Sequence, residues 1–221
     1  MMEKNNYSLK KELPLILLLL AAFAISFYYY PMLPDKIPTH WNFKGEIDGY
    51  SGKTAGAYMM PIMNAVIYLM MFFLPKLDPK KENYKLFEST YIYFRYLFHI
   101  FFFAMHIMII AAALGYPVDT GRLVMFGISL LFMLMGNVMG RLKHNYFVGI
   151  KTPWTLANEE VWRRTHRLGA VLMTGAGFLG AVLALLRVNL GLIFIFILVI
   201  PAFVPIIYSY FIFIKLKKSG S

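Results

Sequence analysis

The sequence contains no cysteine, and only 15% of its 221 residues are charged. The first absence excludes disulfides, thiolate metal sites, cysteine nucleophiles and a lipoprotein anchor. The second argues against a soluble domain, which needs far more polar surface to cover a core of this size. Acidic residues are scarce, 11 against 22 Lys and Arg, giving a formal net charge of +11. No HExxH metal motif and no GxSxG nucleophile elbow occurs, and the spacing of Thr, His and Asp forms no activated constellation. The chain therefore reads as a protein without enzymatic turnover, and no cofactor or metal is expected.

What is present is apolar: 59% hydrophobic and 17% aromatic residues, with a mean hydropathy of +0.61. Six apolar segments, about 13–30, 56–74, 86–114, 122–140, 166–186 and 188–214, approach or exceed the roughly 20 helical residues that cross a bilayer core. The fold class expected is all-α, a polytopic membrane bundle of six transmembrane helices. The first segment exceeds the roughly 7–15 apolar residues of a signal peptide, so it reads as a retained helix. Sixteen Lys and Arg fall in the amino-terminal tail, the 76–85 and 141–167 connections and the carboxy-terminal tail, against five in the alternate connections. By the positive-inside rule both termini and the 141–165 loop face the cytoplasm. The lipid bilayer is then the first partner, and direct nucleic acid binding is not expected. Three regions follow: an amino-terminal two-helix module over 1–85 with an ordered outward loop at 31–55, a third helix and outward turn over 86–121, and a carboxy-terminal module over 122–218.

Several features read as packing. Gly136 and Gly140, and the stripe Ala176, Gly180 and Ala184, offer close-approach faces. Pro201 and Pro205 should bend the last helix. In the third segment Glu88, Arg95, His99 and His106 fall near one helical face. Arg95 is expected to snorkel to the cytoplasmic interface. His106, roughly 15 Å deeper than Tyr96, is expected to be a neutral histidine satisfied by a neighbouring helix.

The outward loop "PMLPDKIPTHWNFKGEIDGYSGK" combines proline restriction with turn chemistry. Asp35, His40, Glu46 and Asp48 match no metal-ligand spacing and read as solvated loop charges. In the inward loop, Thr152-Pro153 suits a helix start and Asn158 can cap a helix carrying Glu159 and Glu160 in its first turn. Glu159–Arg163 and Glu160–Arg164 are placed for ion pairs, and Trp162 lies above His166. Trp154 and Trp162 are expected at headgroup level.

At these residues the chain resembles the SdpI family of bacterial membrane immunity proteins, through "LPDKIPTHWNFKGEIDGY" and, downstream, "GN…HNYFVGIKTPWTL…VWRRTHR". The resemblance spans most of the chain and includes the associated amino-terminal module of unknown biochemical activity. Its motif falls on Pro38, His40, Trp41, Asn42 and Gly45 outside. Inside, it falls on Gly136, Asn137, Asn145, Gly149, Thr152, Pro153, Trp154, Thr155, Leu156, Trp162, His166 and Arg167. Lys151 stands where the family commonly carries arginine, so a bidentate contact is not expected there. The resemblance implies protection from a secreted membrane-active peptide toxin, and in some members capture of a cytoplasmic transcriptional repressor. Lys151, Arg163 and Arg164, with Trp154 as an anchor, are the candidate docking residues for that repressor. The alternative is a small transporter or exporter, suggested by two three-helix halves of opposite orientation.

The orientation is checked by cysteine accessibility in intact cells, since the chain offers no background thiol. Ser51→Cys should react with an impermeant reagent and Asn158→Cys should stay protected; the opposite pattern inverts every sidedness assignment.

Overall fold

The computed structural model describes residues 9–42, 46–188 and 191–219. Six of its helices are long and apolar enough to cross a membrane. They lie in α1 (Leu9–Tyr29), α2 (Lys53–Leu77), α3 (Glu88–Ala113), α4 (Thr120–Met139), α6 (Glu159–Leu185) and α7 (Leu192–Lys218), with a short α5 (Pro153–Ala157) before α6. The protein is thus a multi-pass membrane helical bundle, as its composition requires. The chain divides into two compact units, Met1–Leu69 with Phe98–Thr120, and Met70–Leu97 with Gly121–Ser221.

In the first unit the outward loop is not irregular. It forms an antiparallel hairpin of β1 (Lys36–Trp41) and β2 (Ile47–Gly52), with irregular register on either side of His40. Burial along β1 does not alternate, since Ile37 and Pro38 are both buried, so the two-residue strand period is missing from the sequence. The prolines that restrict this ordered loop are accommodated because Pro38 adjoins a bulge, where the ladder does not need its missing N–H. Ile37 is fully buried, and a Cβ at Gly56 would come within 2.5 Å of Ile37 Cβ, so the strand is seated on a glycine notch in α2. Lys53 N–H donates to the Asp35 carbonyl at 2.9 Å and Tyr30 hydroxyl meets Thr54 Oγ1 at 2.8 Å, tying both hairpin ends to helix termini.

The same unit buries polar side chains along its helices. Ser26 Oγ donates to the Ala57 carbonyl at 2.7 Å and therefore accepts from His106 Nε2 at 3.1 Å, so a neighbouring helix engages one nitrogen of this ring. His99 Nδ1 donates to Asn64 Oδ1 at 2.6 Å, and Tyr68 hydroxyl donates to Glu12 at 2.8 Å.

In the second unit, small residues set the helix spacing. A Cβ at Gly136 would lie 2.6 Å from the Thr174 backbone nitrogen, and one at Gly177 would lie 2.3 Å from that of Met133. Such approaches leave no room for alanine, whereas at Gly140 the nearest atom is an ordinary 3.8 Å away. The close-approach face of α4 therefore centres on Gly136, with Gly177 and Gly180 opposite. Helix α7 runs through Pro201 and Pro205 without interruption. Arg95, expected at the lipid interface, is only 3% exposed. Its side chain is covered by the folded chain, which lowers the cost of a charge in an apolar segment.

Candidate functional site

The residues that carry the inward motif converge in the second unit, on the loop between α4 and α6. That loop leaves α4 at Gly140 and returns at α5, without forming a strand. Its backbone groups are satisfied by side chains. Asn145 is fully buried; its Oδ1 accepts from the N–H groups of Phe147 and Val148 at 3.0 and 2.7 Å. Its Nδ2 donates to the carbonyls of Lys143 and Val148 at 2.9 and 3.0 Å. One asparagine thus knots six residues of chain.

Asp78, 2% exposed, fastens the loop to the preceding connection. It accepts from the N–H groups of Lys80 and Tyr146 at 2.7 and 2.9 Å and from Tyr84 hydroxyl at 3.1 Å. Asn83 Nδ2 adds a 2.7 Å bond to the His144 carbonyl. Sequence reasoning missed Asp78, Asn83 and His144 as parts of this site. The available signal was "LDPK", an Asp placed to accept from the backbone two residues on.

The histidine of "VWRRTHR" is the inner post. His166 is 1% exposed; its Nδ1 donates to the Trp162 carbonyl at 2.8 Å and its Nε2 accepts from Ile150 N–H at 2.9 Å. Both nitrogens are spent and the ring is neutral, so it is a structural pin. Gly149 has φ +114° and a Cβ there would fall 2.4 Å from His166 Nε2, so only glycine fits. Trp162 stacks on His166 with centroids 4.0 Å apart, and its indole N–H donates to the Leu142 carbonyl at 2.9 Å.

Thr152 and Thr155 form a reciprocal capping box around Pro153. Thr155 Oγ1 also reaches the Ile150 carbonyl at 2.9 Å, and Thr152 Oγ1 meets Ser209 Oγ of α7 at 3.0 Å. Trp154 packs edge-on against Tyr210 at 5.0 Å and joins the Val161, Ile212 and Leu216 cluster. Asn158 caps α6, accepting from Glu160 and Val161 at 2.9 and 3.0 Å.

Two expectations are corrected. Trp162 does not sit at headgroup level but is 2% exposed, because its indole N–H is needed by the loop. Arg163 does not pair with Glu159; it makes two bonds of 2.7 and 2.6 Å to Glu160, which also takes Arg164 at 2.5 Å. Glu159 instead turns to Lys80 at 3.3 Å and stands 3.6 Å from His144 Nδ1. Asn137 and Arg167 are exposed, and Lys151, also exposed, donates to the Phe147 carbonyl at 2.7 Å.

In the first unit, Asn42 closes the hairpin by exchanging bonds with Glu46, and His40 Nδ1 meets Asp48 at 2.6 Å on the surface. Trp41 is half-buried, and its covered indole N–H makes no hydrogen bond among the described residues. Gly45 lies outside the described residues. No group of three or more His, Asp or Glu among the described residues could hold a metal.

This architecture defines a six-helix membrane protein with a side-chain-knotted loop docked on its fifth long helix. Its motif resemblance is borne out: residues 141–209 match the SdpI/YfhL protein family, and residues 17–65 match a domain of unknown function, DUF1648. The Immunity protein SdpI of Bacillus subtilis (strain 168) is 25% identical over 212 residues, covering 96% of this chain and 100% of that protein. No solved structure matches.

His144 supplies a pH dependence. Lys80 Nζ donates to its Nδ1 at 2.7 Å, so the ring is neutral with its proton on Nε2. Burial pushes its pKa below the ordinary 6.5, the Lys80 ammonium adds to this, and Glu159 opposes it. The unfolded chain binds the proton first, so this contribution to stability is complete above the unfolded pKa and is lost as pH falls from about 6.5 toward the folded value. Thermal unfolding of the detergent-solubilised protein should lose midpoint temperature over that interval, and His144→Gln should flatten the loss. An equal slope in the variant would remove His144 from the explanation.

Proposed function

We propose that the protein is an immunity protein of the bacterial cytoplasmic membrane, protecting its cell from a secreted membrane-active peptide toxin. The observation that carries this is the end-to-end similarity to an immunity protein, including the family match on the knotted loop. The outward hairpin is the recognition element in this reading. It is anchored at both ends and through Ile37, so little ordering entropy is lost on binding. Trp41 offers rigid apolar area and an indole donor that meets no acceptor among the described residues, which suits a peptide carbonyl.

Signalling is the second part of the proposal: the cytoplasmic face also receives a transcriptional repressor when toxin is present. Lys151 and Arg163 are exposed there, although Glu160 partly compensates the Arg163–Arg164 pair and Trp154 is half-buried in the α5–α7 packing. Electrostatic complementarity to an acidic repressor surface would steer the encounter.

Expression in a toxin-sensitive bacterium, with membrane potential as the readout, tests both parts. The protein should preserve the potential under toxin challenge, and Trp41→Ala should reduce protection at unchanged membrane abundance. Abundance falling in step with protection would make the hairpin a structural cap. Arg163→Glu with Arg164→Glu should weaken repressor recruitment while resistance persists; recruitment at normal strength would rule out this docking face.

A further inference from the structure

The basic side chains near the knotted loop differ in what they have to bind. Lys80 is engaged by His144 and Glu159, Arg163 and Arg164 by Glu160, and Lys151 by a backbone carbonyl. Arg141, Lys143 and Arg167 are exposed, and their side chains make no hydrogen bond or ion pair among the described residues. These three gather around Gly140. Arg141 follows it in the chain, and a Cβ at Gly140 would stand 3.9 Å from Arg167 Cγ.

Gly140 and Lys143 also line a cleft of about 440 Å³ whose wall includes Leu86, an apolar side chain 66% exposed. Two carboxylates, Glu159 and Glu160, line it as well, and each already has a cationic partner. The uncompensated charge at this place is therefore positive. It lies where α4 has just ended at Met139, at the boundary between an apolar span and a polar loop.

We propose that Arg141, Lys143 and Arg167 bind the phosphate of an anionic phospholipid, whose acyl chain lies along the apolar wall marked by Leu86. Guanidinium and ammonium groups converge on a phosphate through charge-assisted hydrogen bonds. A zwitterionic headgroup carries its own cation, which competes with these donors, so the surface selects lipids with net negative charge. A soluble phosphate would gain nothing from an exposed leucine beside the cations.

The test uses the purified full chain in detergent, with lipid retention read by native mass spectrometry. Phosphatidylglycerol should be retained in preference to phosphatidylcholine, and excess inorganic phosphate should not displace it. Arg141→Gln/Lys143→Gln/Arg167→Gln should weaken retention by roughly fivefold per charge removed. Lys81→Gln/Lys217→Gln/Lys218→Gln removes the same charge elsewhere and should leave retention unchanged. Because the triple variant could fail to fold, Lys143→Gln alone, at an exposed side chain with no partner among the described residues, is measured too and should weaken retention roughly fivefold. Equal retention of the two lipids, displacement by inorganic phosphate, equal losses in both triple variants, or no loss in Lys143→Gln would each overturn the proposal.

Discussion

A loop that leaves one membrane helix and returns into another carries amides and carbonyls that no helix or sheet ladder pairs. Burying such a group unpaired costs about 2–7 kcal/mol, so a covered loop at a membrane boundary survives only if side chains replace water. Asn145, Asp78, Trp162, His166 and Thr155 do so here, each bonding backbone of the loop directly. The position of the cleft, the start of α6 and the exposure of the loop's basic residues all follow from that replacement. Removing one such partner strands a buried donor or acceptor, which is costlier than losing an average hydrogen bond.

This gives the family motif a physical meaning. Gly149 is needed because His166 Nε2 occupies the space of its side chain, and His166 is needed because Ile150 N–H has that nitrogen as its acceptor. The Thr-Pro-Trp-Thr run is a capping box with proline at a first helical position. Asn158 then restarts the chain as α6. These residue types are tied to one another by geometry, and most are pins of the fold. The side chains left outward, Lys151, Arg163 and Arg167 among them, are where partners can reach.

The helical spans were legible because hydropathy over a bilayer's thickness is a strong, local signal. The Asn158 cap and the Trp162–His166 pair were legible for the same reason, being helical spacings. The near-complete burial of Arg95 was not foreseen because coverage by the folded chain is a tertiary fact that no window on its own helix contains. The hairpin was missed because Ile37 and Pro38 are both buried and the bulges around His40 erase the two-residue period. Asp78 was missed because its partners include Tyr146, far along the chain, and sequence separation hides such bonds. The Arg163 pairing failed because i,i+3 and i,i+4 partners are nearly equivalent on a helix, and Lys80 drew Glu159 away.

The claim that side chains hold this loop as firmly as a helix is tested most directly by hydrogen exchange at single-residue resolution in the full-length protein. The amides of Tyr146, Val148 and Ile150 donate to Asp78, Asn145 and His166 respectively. They should exchange as slowly as amides in the middle of α6, and the Ile150 amide should become fast in His166→Phe, a ring without an acceptor. Exchange of all three at the rate of an open surface loop would contradict the knot on which the structure depends.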